Sequence, residues 1–458
     1  MKNEPLEENL HYGFEDREYL DRAEIQPELL PEKLNLLRWK LNQKAKQEPR
    51  FRFYSLYDRI YRTDTLQAAW KLVGRYKKAS GVDGTTREKV EGQPGGVERF
   101  LKQIQEELQQ KRYHASPVKR VFIPKGNTGK TRPLGIPTLK DRVVQMAVLL
   151  ILEPIFEADF KDCSYGFRPK RSTHDALEEI RKNILEGRTS IYDADLKGYF
   201  DSIPHDKLMA CVEMRVADRS VLQLIRMWLK APIVETQNGK MMPPKSNDKG
   251  TPQGGVISPL LANLYLHWFD VKFSRTDGPL VWANARLIRY ADDFVVMARY
   301  QSDRLRGWIE GQLEDWLGLE LNREKTRTVH LKEEGQSLTF LGYALRFAPD
   351  LYGRKRQYLT MYPSDKAMTK ERDKIREMTG PKQSFKPVTE LIEELNGHLK
   401  GWKGYYKVGH CRRQFRQINH FVRSRVLAHL SRRSQRGYRI PEKMSGYQYL
   451  KRLGLQPL

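Results

Sequence analysis

Short apolar runs that suit β-strands alternate along the chain with longer stretches in which apolar residues recur at helical spacing. The strand-like runs cover residues 118–123, 190–195 and 287–297, and the helical stretches cover residues 139–156 and 259–269. Turn-rich segments separate them, and the strands meet as hairpins more than through repeated crossovers. The pattern predicts an α+β fold.

Beyond Gly380 the strand pattern fades and helices dominate. Apolar residues recur there at helical spacing, at Phe415, Ile418, Phe421, Val422, Val426 and Leu430. Arginines occupy much of the remaining helical surface, at Arg412, Arg413, Arg416, Arg423 and Arg432. This arrangement predicts an amphipathic helix with a basic outer face. Residues 1–50 begin acidic and then carry a helical pattern, which predicts an extension that leans on the body of the protein.

The composition of the chain indicates which class of molecule it binds. The 458 residues carry a formal charge of +25, from 82 Lys and Arg against 57 Asp and Glu, and 39% of them are hydrophobic. The hydrophobic content excludes a disordered chain, and the positive charge favours a polyanion such as nucleic acid. The charge is concentrated at the C-terminal end, where residues 400–458 hold 15 Lys and Arg and one acid, Glu442.

Cysteine and hydropathy patterns exclude other classes. Cys163, Cys211 and Cys411 are widely separated and odd in number, so they predict neither a disulfide framework nor a paired-cysteine zinc site. The most apolar stretch, 143–156, is too short to span a bilayer, and the N-terminus lacks the features of a signal peptide. We expect a cytoplasmic protein of bacterial or organellar type, near the nucleoid and without a membrane partner.

Two acidic runs occur in β-prone segments. Asp292 and Asp293 lie at the centre of the run 287–297, and Asp193 and Asp195 would point to one face of a strand. Buried carboxylates are costly unless a charge such as a bound cation compensates them. A sparse set of Asp without His or Cys suits Mg²⁺, and polymerases use two such ions roughly 3.5–4 Å apart. A tight hairpin turn with solvated Asp side chains is the alternative.

Further motifs accompany these acids in a fixed order. They are Ile-Pro-Lys at 123–125, Arg-Pro-Leu-Gly-Ile-Pro at 132–137, Ser-Tyr-Gly-Phe-Arg-Pro at 164–169, the Asp195 run at 191–201, Gly-Thr-Pro-Gln-Gly-Gly at 250–255, Tyr-Ala-Asp-Asp at 290–293, Leu-Gly-Leu-Glu-Leu-Asn at 317–322 with Lys-Thr at 325–326, and Phe-Leu-Gly-Tyr at 340–343. The series resembles reverse transcriptases, in particular the branch encoded by group II introns. The resemblance covers about residues 50–345 strongly and 385–440 more loosely.

The resemblance implies a fold and a domain order. A right-hand polymerase fold is expected, with fingers and a palm that contains an antiparallel sheet, followed by an α-helical thumb or maturase domain. The expected divisions are an N-terminal extension (1–50), fingers and palm (51–350), a helical thumb and maturase region (351–440) and a short basic tail (441–458).

The resemblance also implies the metal site and its reaction. Asp195, Asp292, Asp293 and the backbone of Leu196 would hold two Mg²⁺ ions, for which Mn²⁺ can substitute. A primer 3′-hydroxyl would attack the α-phosphate of a dNTP, and pyrophosphate would leave. Catalysis would come mostly from positioning and charge stabilisation.

Four residues match nucleotide-binding positions of the family. Lys125 and Arg132 would grip the triphosphate, Phe200 would exclude a ribose 2′-hydroxyl, and Gln253 would contact the nucleotide near its sugar. The residues alone leave structural alternatives open. These are a solvated glycine-rich turn for Lys125, plain core for Phe200 and a simple turn for Gln253.

Other residues are expected to bind nucleic acid. The resemblance makes Arg168 a template contact, with a structural tyrosine-glycine turn as the alternative. The segment 401–407 resembles the start of the thumb or maturase region, where aromatics between bases suit stacking on unpaired nucleotides. Helix-packing core is the alternative there, and it fits Trp402 better than Tyr405. We expect Arg412, Arg413 and Arg416 to contact RNA phosphates, with a solvated helical face as the alternative.

The function implied is an intron-encoded enzyme that copies RNA from a DNA or RNA primer and helps its own group II intron RNA to splice and move. A maturase with a vestigial polymerase is one alternative, against which the intact Asp195, Asp292 and Asp293 argue. A domesticated reverse transcriptase that acts in DNA repair or phage defence is another. Longer relatives carry a C-terminal HNH-type endonuclease, and because no such motif follows Trp402 we expect this protein to lack one. The sequence does not indicate an oligomeric state.

Overall fold

The computed structural model describes residues 25, 30–74, 79–124, 131–237, 240–349, 357–433, 440 and 444–458. Lys125, which the sequence assigns to the triphosphate, lies outside the described residues. The described chain forms two compact units, one within Tyr19–Thr328 and one within Val329–Leu458.

The first unit combines helices with two sheets. Its helices are α1 (Glu32–Gln47), α2 (Tyr57–Ile60), α3 (Thr63–Val73), α4 (Arg87–Glu91), α5 (Gly96–Gln109), α6 (Leu139–Glu157), α7 (Thr173–Leu185), α8 (Tyr199–Ser202), α9 (His205–Glu213), α10 (Arg219–Leu229), α11 (Ser258–Phe273), α12 (Pro279–Trp282) and α13 (Asp303–Gly311), which continues as a π-helical turn at Gln312–Trp316. Its strands are β1 (Val118–Pro124), β2 (Thr131–Ile136), β3 (Ser190–Ala194), β4 (Ile233–Gln237), β5 (Lys240–Met241), β6 (Arg286–Tyr290), β7 (Asp293–Ala298) and β8 (Arg327–His330), which crosses the boundary of the unit.

Helix α6 is buried on almost every side, as its nearly continuous apolar sequence dictates. Pro154 lies inside it and has no N–H to donate to the carbonyl of Leu150, one turn earlier. Arg38 of α1 supplies the missing donor, because its Nη1 lies 2.5 Å from Leu150 O while its Nη2 lies 2.7 Å from Glu153 Oε2. The helix of the N-terminal extension therefore packs on the body of this unit.

The two sheets differ in strand direction. The first has the order β2-β1-β4-β5, in which β1 pairs antiparallel with β2 and parallel with β4. The second has the order β6-β7-β3-β8, in which β7 runs antiparallel to both β6 and β3. The run 287–297, predicted as one strand, forms two strands and a turn, because Tyr290 pairs with Asp293 across a tight hairpin.

The second unit begins with a small sheet and continues in helices. An antiparallel sheet has the order β11-β10-β9, from β9 (Leu338–Phe340), β10 (Tyr343–Pro349) and β11 (Gln357–Pro363). The helices are α14 (Asp365–Met378), a short 3₁₀ turn at Pro381–Gln383, α15 (Val388–Tyr406), α16 (Arg412–Arg432) and α17 (Gly446–Arg452). The predicted α+β fold with a helical C-terminal region is confirmed. Within the described residues, no helix is long and apolar enough to cross a membrane.

Candidate active site

The β6–β7 hairpin carries the paired aspartates at its tip. Since Tyr290 pairs with Asp293, Ala291 and Asp292 form a two-residue turn. Ala291 has a φ of 58°, in the left-handed region that favours glycine. A non-glycine residue there costs on the order of 1 kcal/mol, so the surrounding structure must hold the turn in place.

Asp195 lies next to this hairpin because of strand register. Ala194, the last residue of β3, is opposite Phe294 of β7, so Asp195 follows beside Asp293. The pKa of Asp193 reports how close these charges are. That pKa is raised to about 6, mainly by burial; Arg327 lowers it, and the negative charges of Asp293 and Asp195 add to the rise. The carboxylates thus share one electrostatic environment.

Two residues that the sequence analysis did not assign to the site bind Asp195 directly. Lys325 Nζ and Asn322 Nδ2 donate to Asp195 Oδ2 at 2.9 and 3.0 Å, and neither contact involves Oδ1. Both residues belong to the motif at 317–326, which was noted only for its resemblance. That motif was the signal that could have identified them.

Backbone hydrogen bonds hold this loop against the end of β3. Asn322 N donates to Asp195 O at 2.8 Å, and Lys197 N donates to Glu320 O at 2.8 Å. Leu196, whose backbone was predicted to bind metal, lies between these two bonds, and neither uses its carbonyl oxygen.

The donor set suits a hard divalent cation. Asp195, Asp292 and Asp293 offer carboxylate oxygens, and no His or Cys was assigned to the site. Among the described residues, no group of three or more His, Cys, Asp or Glu forms a ready-made metal cage. A few carboxylates are nevertheless what Mg²⁺ requires when water and substrate phosphates complete its shell.

Three of the predicted nucleotide-binding residues come together near this site. Arg132 Nε donates to Gln253 Oε1 at 2.8 Å, and Thr251 N donates to Phe200 O at 2.7 Å. A Cβ on Gly254 would lie 2.5 Å from Gly135 O, and the φ of Gly254 is +110°, so only glycine allows these backbones to approach. The Phe200 side chain itself is 2% exposed.

A narrow cleft adjoins these loops. Arg120, Asp201, Lys249 and Gln253 contribute polar groups to its lining. Arg120 Nη2 lies 4.0 Å from Asp201 Oδ1, so charge compensation within the cleft is partial at this distance. Asp201 was not assigned to the site from sequence.

Comparisons with known proteins match the whole motif series. A family model of reverse transcriptases (RNA-dependent DNA polymerases) matches residues 123–345, and one of the group II intron maturase-specific domain matches residues 368–446. Protein YkfC of Escherichia coli is 34% identical over 364 residues, which cover 72% of this chain and 92% of that protein. Group II intron-encoded protein LtrA of Lactococcus lactis subsp. cremoris is 30% identical in an alignment of 454 positions, gaps included, which covers 81% of this chain and 72% of that protein.

The chain belongs to the group II intron reverse transcriptase/maturase family. Its reverse transcriptase domain is an RNA-directed DNA polymerase, and reverse transcriptases use divalent metal ions. Together with the maturase domain, it implies binding of an RNA template and a nucleic-acid primer. The predicted family, fold and enzyme class are confirmed.

Arg168 of this reverse transcriptase is held by contacts within the protein. Its Nε and Nη2 donate to the carboxylate of Glu157, and its Nη1 donates to the carbonyls of Lys161 and Ser164. The side chain is 4% exposed. All three guanidinium nitrogens are therefore occupied, which favours the structural turn for Arg168, and the template contact stays a prediction.

Tyr405 is likewise part of the core of the maturase region. It is buried, its ring packs against Tyr343 and Tyr406, and its hydroxyl donates to Leu341 O at 2.7 Å. These contacts favour helix-packing core, the alternative left open for this segment, and stacking of Tyr405 on a base stays a prediction. Trp402 is also buried, as expected.

The α16 arginines divide into two groups. Arg412, Arg413 and Arg416 are exposed. Arg425, which is partly buried, and Arg432, which is exposed, instead hydrogen-bond within the protein: their side chains donate to Thr379 Oγ1 at 3.2 Å and Thr379 O at 2.6 Å. The apolar face of the helix is buried through Ile418, Val422, Val426 and Leu430, as the spacing predicted.

Proposed function

We propose that the protein copies RNA into DNA from dNTPs with two Mg²⁺ ions bound by Asp195, Asp292 and Asp293. The observation that carries this proposal is the strand register, which brings Asp195 beside the hairpin of Asp292 and Asp293. When bound, two divalent ions supply activation of an attacking oxygen and stabilisation of a leaving one.

The residues around the ions have separate tasks. Arg132 binds the triphosphate as a delocalised cation, and its hydrogen bond to Gln253 orients that side chain toward the sugar. Phe200 forms the wall that excludes a ribose 2′-hydroxyl. Lys325 orients the Asp195 carboxylate by its contact with Oδ2. Lys125 completes the triphosphate grip, and the Leu196 carbonyl completes a metal shell.

The C-terminal unit binds group II intron RNA and thereby assists splicing and retromobility. Support comes from the exposed Arg412, Arg413 and Arg416 on α16 and from the maturase-specific match at residues 368–446. Exposed guanidinium groups can pair with phosphates and release the counterions that surround the RNA. The primer is DNA or RNA, and the protein acts in the cytoplasm, near the nucleoid.

The proposed domain limits remain those expected from sequence: 1–50, 51–350, 351–440 and 441–458. The division at Thr328 and Val329 and the two family matches support two main regions.

Primer extension on an RNA template, at a series of Mg²⁺ concentrations, tests the metal site. Asp195→Asn and Asp292→Asn should each reduce DNA synthesis by at least about 10³-fold, because loss of a metal ligand removes several kcal/mol of transition-state stabilisation. RNA affinity should stay close to that of the parent. Asp303→Asn is the matched control, since the Asp303 side chain is 94% exposed on α13.

Two results would change this assignment. Full synthesis by a folded Asp195→Asn or Asp292→Asn variant would remove the carboxylates from catalysis. No synthesis by the parent protein, together with tight RNA binding, would favour a maturase with a vestigial polymerase.

A further inference from the structure

We propose that Arg289, buried behind the catalytic hairpin, is a positioning residue that sets the geometry of the metal-binding aspartates. It acts on the turn formed by Ala291 and Asp292. The inference rests on the proposed metal site, and the experiment below distinguishes failure of the two.

Arg289 forms a closed network in the interior. Its Nε and Nη2 donate to Asp270 Oδ1 and Oδ2 at 2.9 and 2.5 Å, and both side chains are 0% exposed. Its Nη1 donates to Asn263 Oδ1 and to Ala291 O, each at 2.9 Å. The guanidinium therefore joins a carboxylate on α11 to the backbone of the catalytic turn.

The contact with Ala291 O explains why an ion pair lies here. A buried ion pair costs desolvation, and apolar residues of similar volume often stabilise a core equally well. Apolar residues cannot hold a carbonyl, however. Ala291 is in the left-handed region and directly precedes Asp292, so its carbonyl oxygen belongs to the peptide that orients the metal ligand.

The same network supports the turn from a second side. Asn263 Nδ2 donates to Gly166 O at 2.7 Å while its Oδ1 accepts from Arg289. A Cβ on Gly166 would lie 2.4 Å from Ala291 N, so the backbone of the 164–169 segment packs directly on the turn. Arg289 N and O also bond to Cys163 O and Tyr165 N, both at 2.8 Å.

This arrangement predicts that loss of the Arg289 network weakens metal binding even in variants that remain folded. Residues that orient metal ligands typically change metal affinity or activity by about 10–100-fold when they are lost. Removal of Arg289 alone would leave Asp270 as an unpaired buried charge, which is strongly destabilising. The informative variant is therefore the double substitution Arg289→Met with Asp270→Leu, which removes both charges together.

A matched control exists in the same unit. Arg215 lies 3.0 Å from Asp159, with side chains 5% and 24% exposed, and its guanidinium otherwise donates to the carbonyls of Ala45, Glu48 and Pro49 and lies over the Phe53 ring. The double substitution Arg215→Met with Asp159→Leu removes another mostly buried ion pair, and among the described residues the Arg215 side chain makes no contact with the catalytic turn. Asn263→Ala is a second test variant, because it leaves the Arg289 and Asp270 pair in place and cuts the link to Gly166.

The experiment measures Mn²⁺ binding by electron paramagnetic resonance, with the full chain bound to a chain-terminated primer on RNA and a matching dNTP. The Arg289/Asp270 double variant should stay folded and show a Kd for Mn²⁺ raised about 10–100-fold, with Asn263→Ala raised about 10-fold. Primer extension should need correspondingly more metal for half-maximal rate. The Arg215/Asp159 control and the affinity for primer and template should stay unchanged.

Parent-like Mn²⁺ affinity in folded Asn263→Ala and double variants would overturn the positioning role. If the double variant does not fold, Asn263→Ala decides alone. Asp292→Asn provides the separate check on the metal site. If Asp292→Asn also leaves Mn²⁺ binding unchanged, the proposed function fails; if only Asp292→Asn weakens binding, the inference about Arg289 fails by itself.

Discussion

Asp195 and Lys325 form an ion pair with 2.9 Å between Oδ2 and Nζ, and their side chains are 32% and 55% exposed. Arg327 approaches Asp193 at 3.3 Å in the same cluster. These two cations offset part of the repulsion among the carboxylates, which stabilises the fold before metal binds. The residues at this site therefore fall into two groups: those proposed to contact the substrate, and those that balance the charge of the carboxylates or hold them in place.

Phe200 gives a first prediction at this scale. Phe200→Val should raise the incorporation of ribonucleotides relative to deoxyribonucleotides, because the ring that clashes with the 2′-hydroxyl is gone. Since Phe200 is 2% exposed, the same change should cost up to about 3 kcal/mol of stability. The measurement is the ratio of kcat/KM for rGTP and dGTP. Phe273→Val, at a residue 1% exposed on α11, controls for lost packing, and an unchanged ratio would make Phe200 plain core.

His267 gives a second prediction, which concerns how the stability of the protein depends on pH. Burial lowers its pKa from 6.5 to about 4, and its Nδ1 has no hydrogen-bond partner among the described residues. Between about pH 6.5 and pH 4, His267 is therefore protonated in the unfolded chain but neutral in the folded protein. The free energy of unfolding should fall as the pH drops through this range.

His267→Leu should remove that part of the pH dependence, on the order of 2–3 kcal/mol across the window. Urea unfolding at several pH values measures the difference between variant and parent. The exposed His114→Gln serves as control. A parallel decline with pH in His267→Leu and parent would contradict the assignment.

Helix α16 has a buried apolar face and an exposed face that carries arginines. Arg425 and Arg432 donate to Thr379, whereas Arg412, Arg413 and Arg416 are exposed without a bond to that residue. The helix thus presents two arginine sets that differ in their contacts although they share one sequence pattern.

Substitution of Arg412, Arg413 and Arg416 by Gln should weaken binding to structured intron RNA. It should also reduce the slope of log affinity against log salt by about two units, because each phosphate contact releases counterions with a slope of roughly 0.7–0.9. Arg425→Gln is the control on the same helix and should leave the slope unchanged. Binding isotherms at several salt concentrations measure both, with circular dichroism to confirm folding. An unaltered slope in the folded triple variant would mean that this face is only solvated.

At the scale of the whole molecule, the carboxylate cluster proposed for DNA synthesis and the α16 face proposed for RNA binding belong to different compact units. The carboxylate cluster lies within Tyr19–Thr328, and α16 lies within Val329–Leu458. Loss of one activity should therefore leave the other largely intact.

Asp292→Asn should abolish DNA synthesis but keep protein-assisted splicing of the intron RNA that encodes the protein. The triple α16 variant should lose assisted splicing yet extend a saturating primer and template at a near-parental kcat. Parallel splicing and extension assays compare the two variants. Equal loss of both activities in either folded variant would argue that the activities share one surface.

Several features follow from the sequence by itself. The apolar stripe of α16 and the nearly continuous apolar run of α6 predict buried helix faces, because helical periodicity is a local property. The motif series identifies the family and predicts Asp195, Asp292 and Asp293 as metal ligands, because ligands must keep their chemistry wherever the chain places them.

Only the tertiary structure decides which side chains are free to act. Arg168 and Tyr405 have the chemistry of nucleic-acid contacts, yet the side chains of both form hydrogen bonds with other residues of the protein. Lys325 meets Asp195 across 130 positions, and Arg289 meets Asp270 in a closed interior network. Sequence patterns report which face of an element is buried, but a side chain's partner depends on how distant elements pack, and that information is not local.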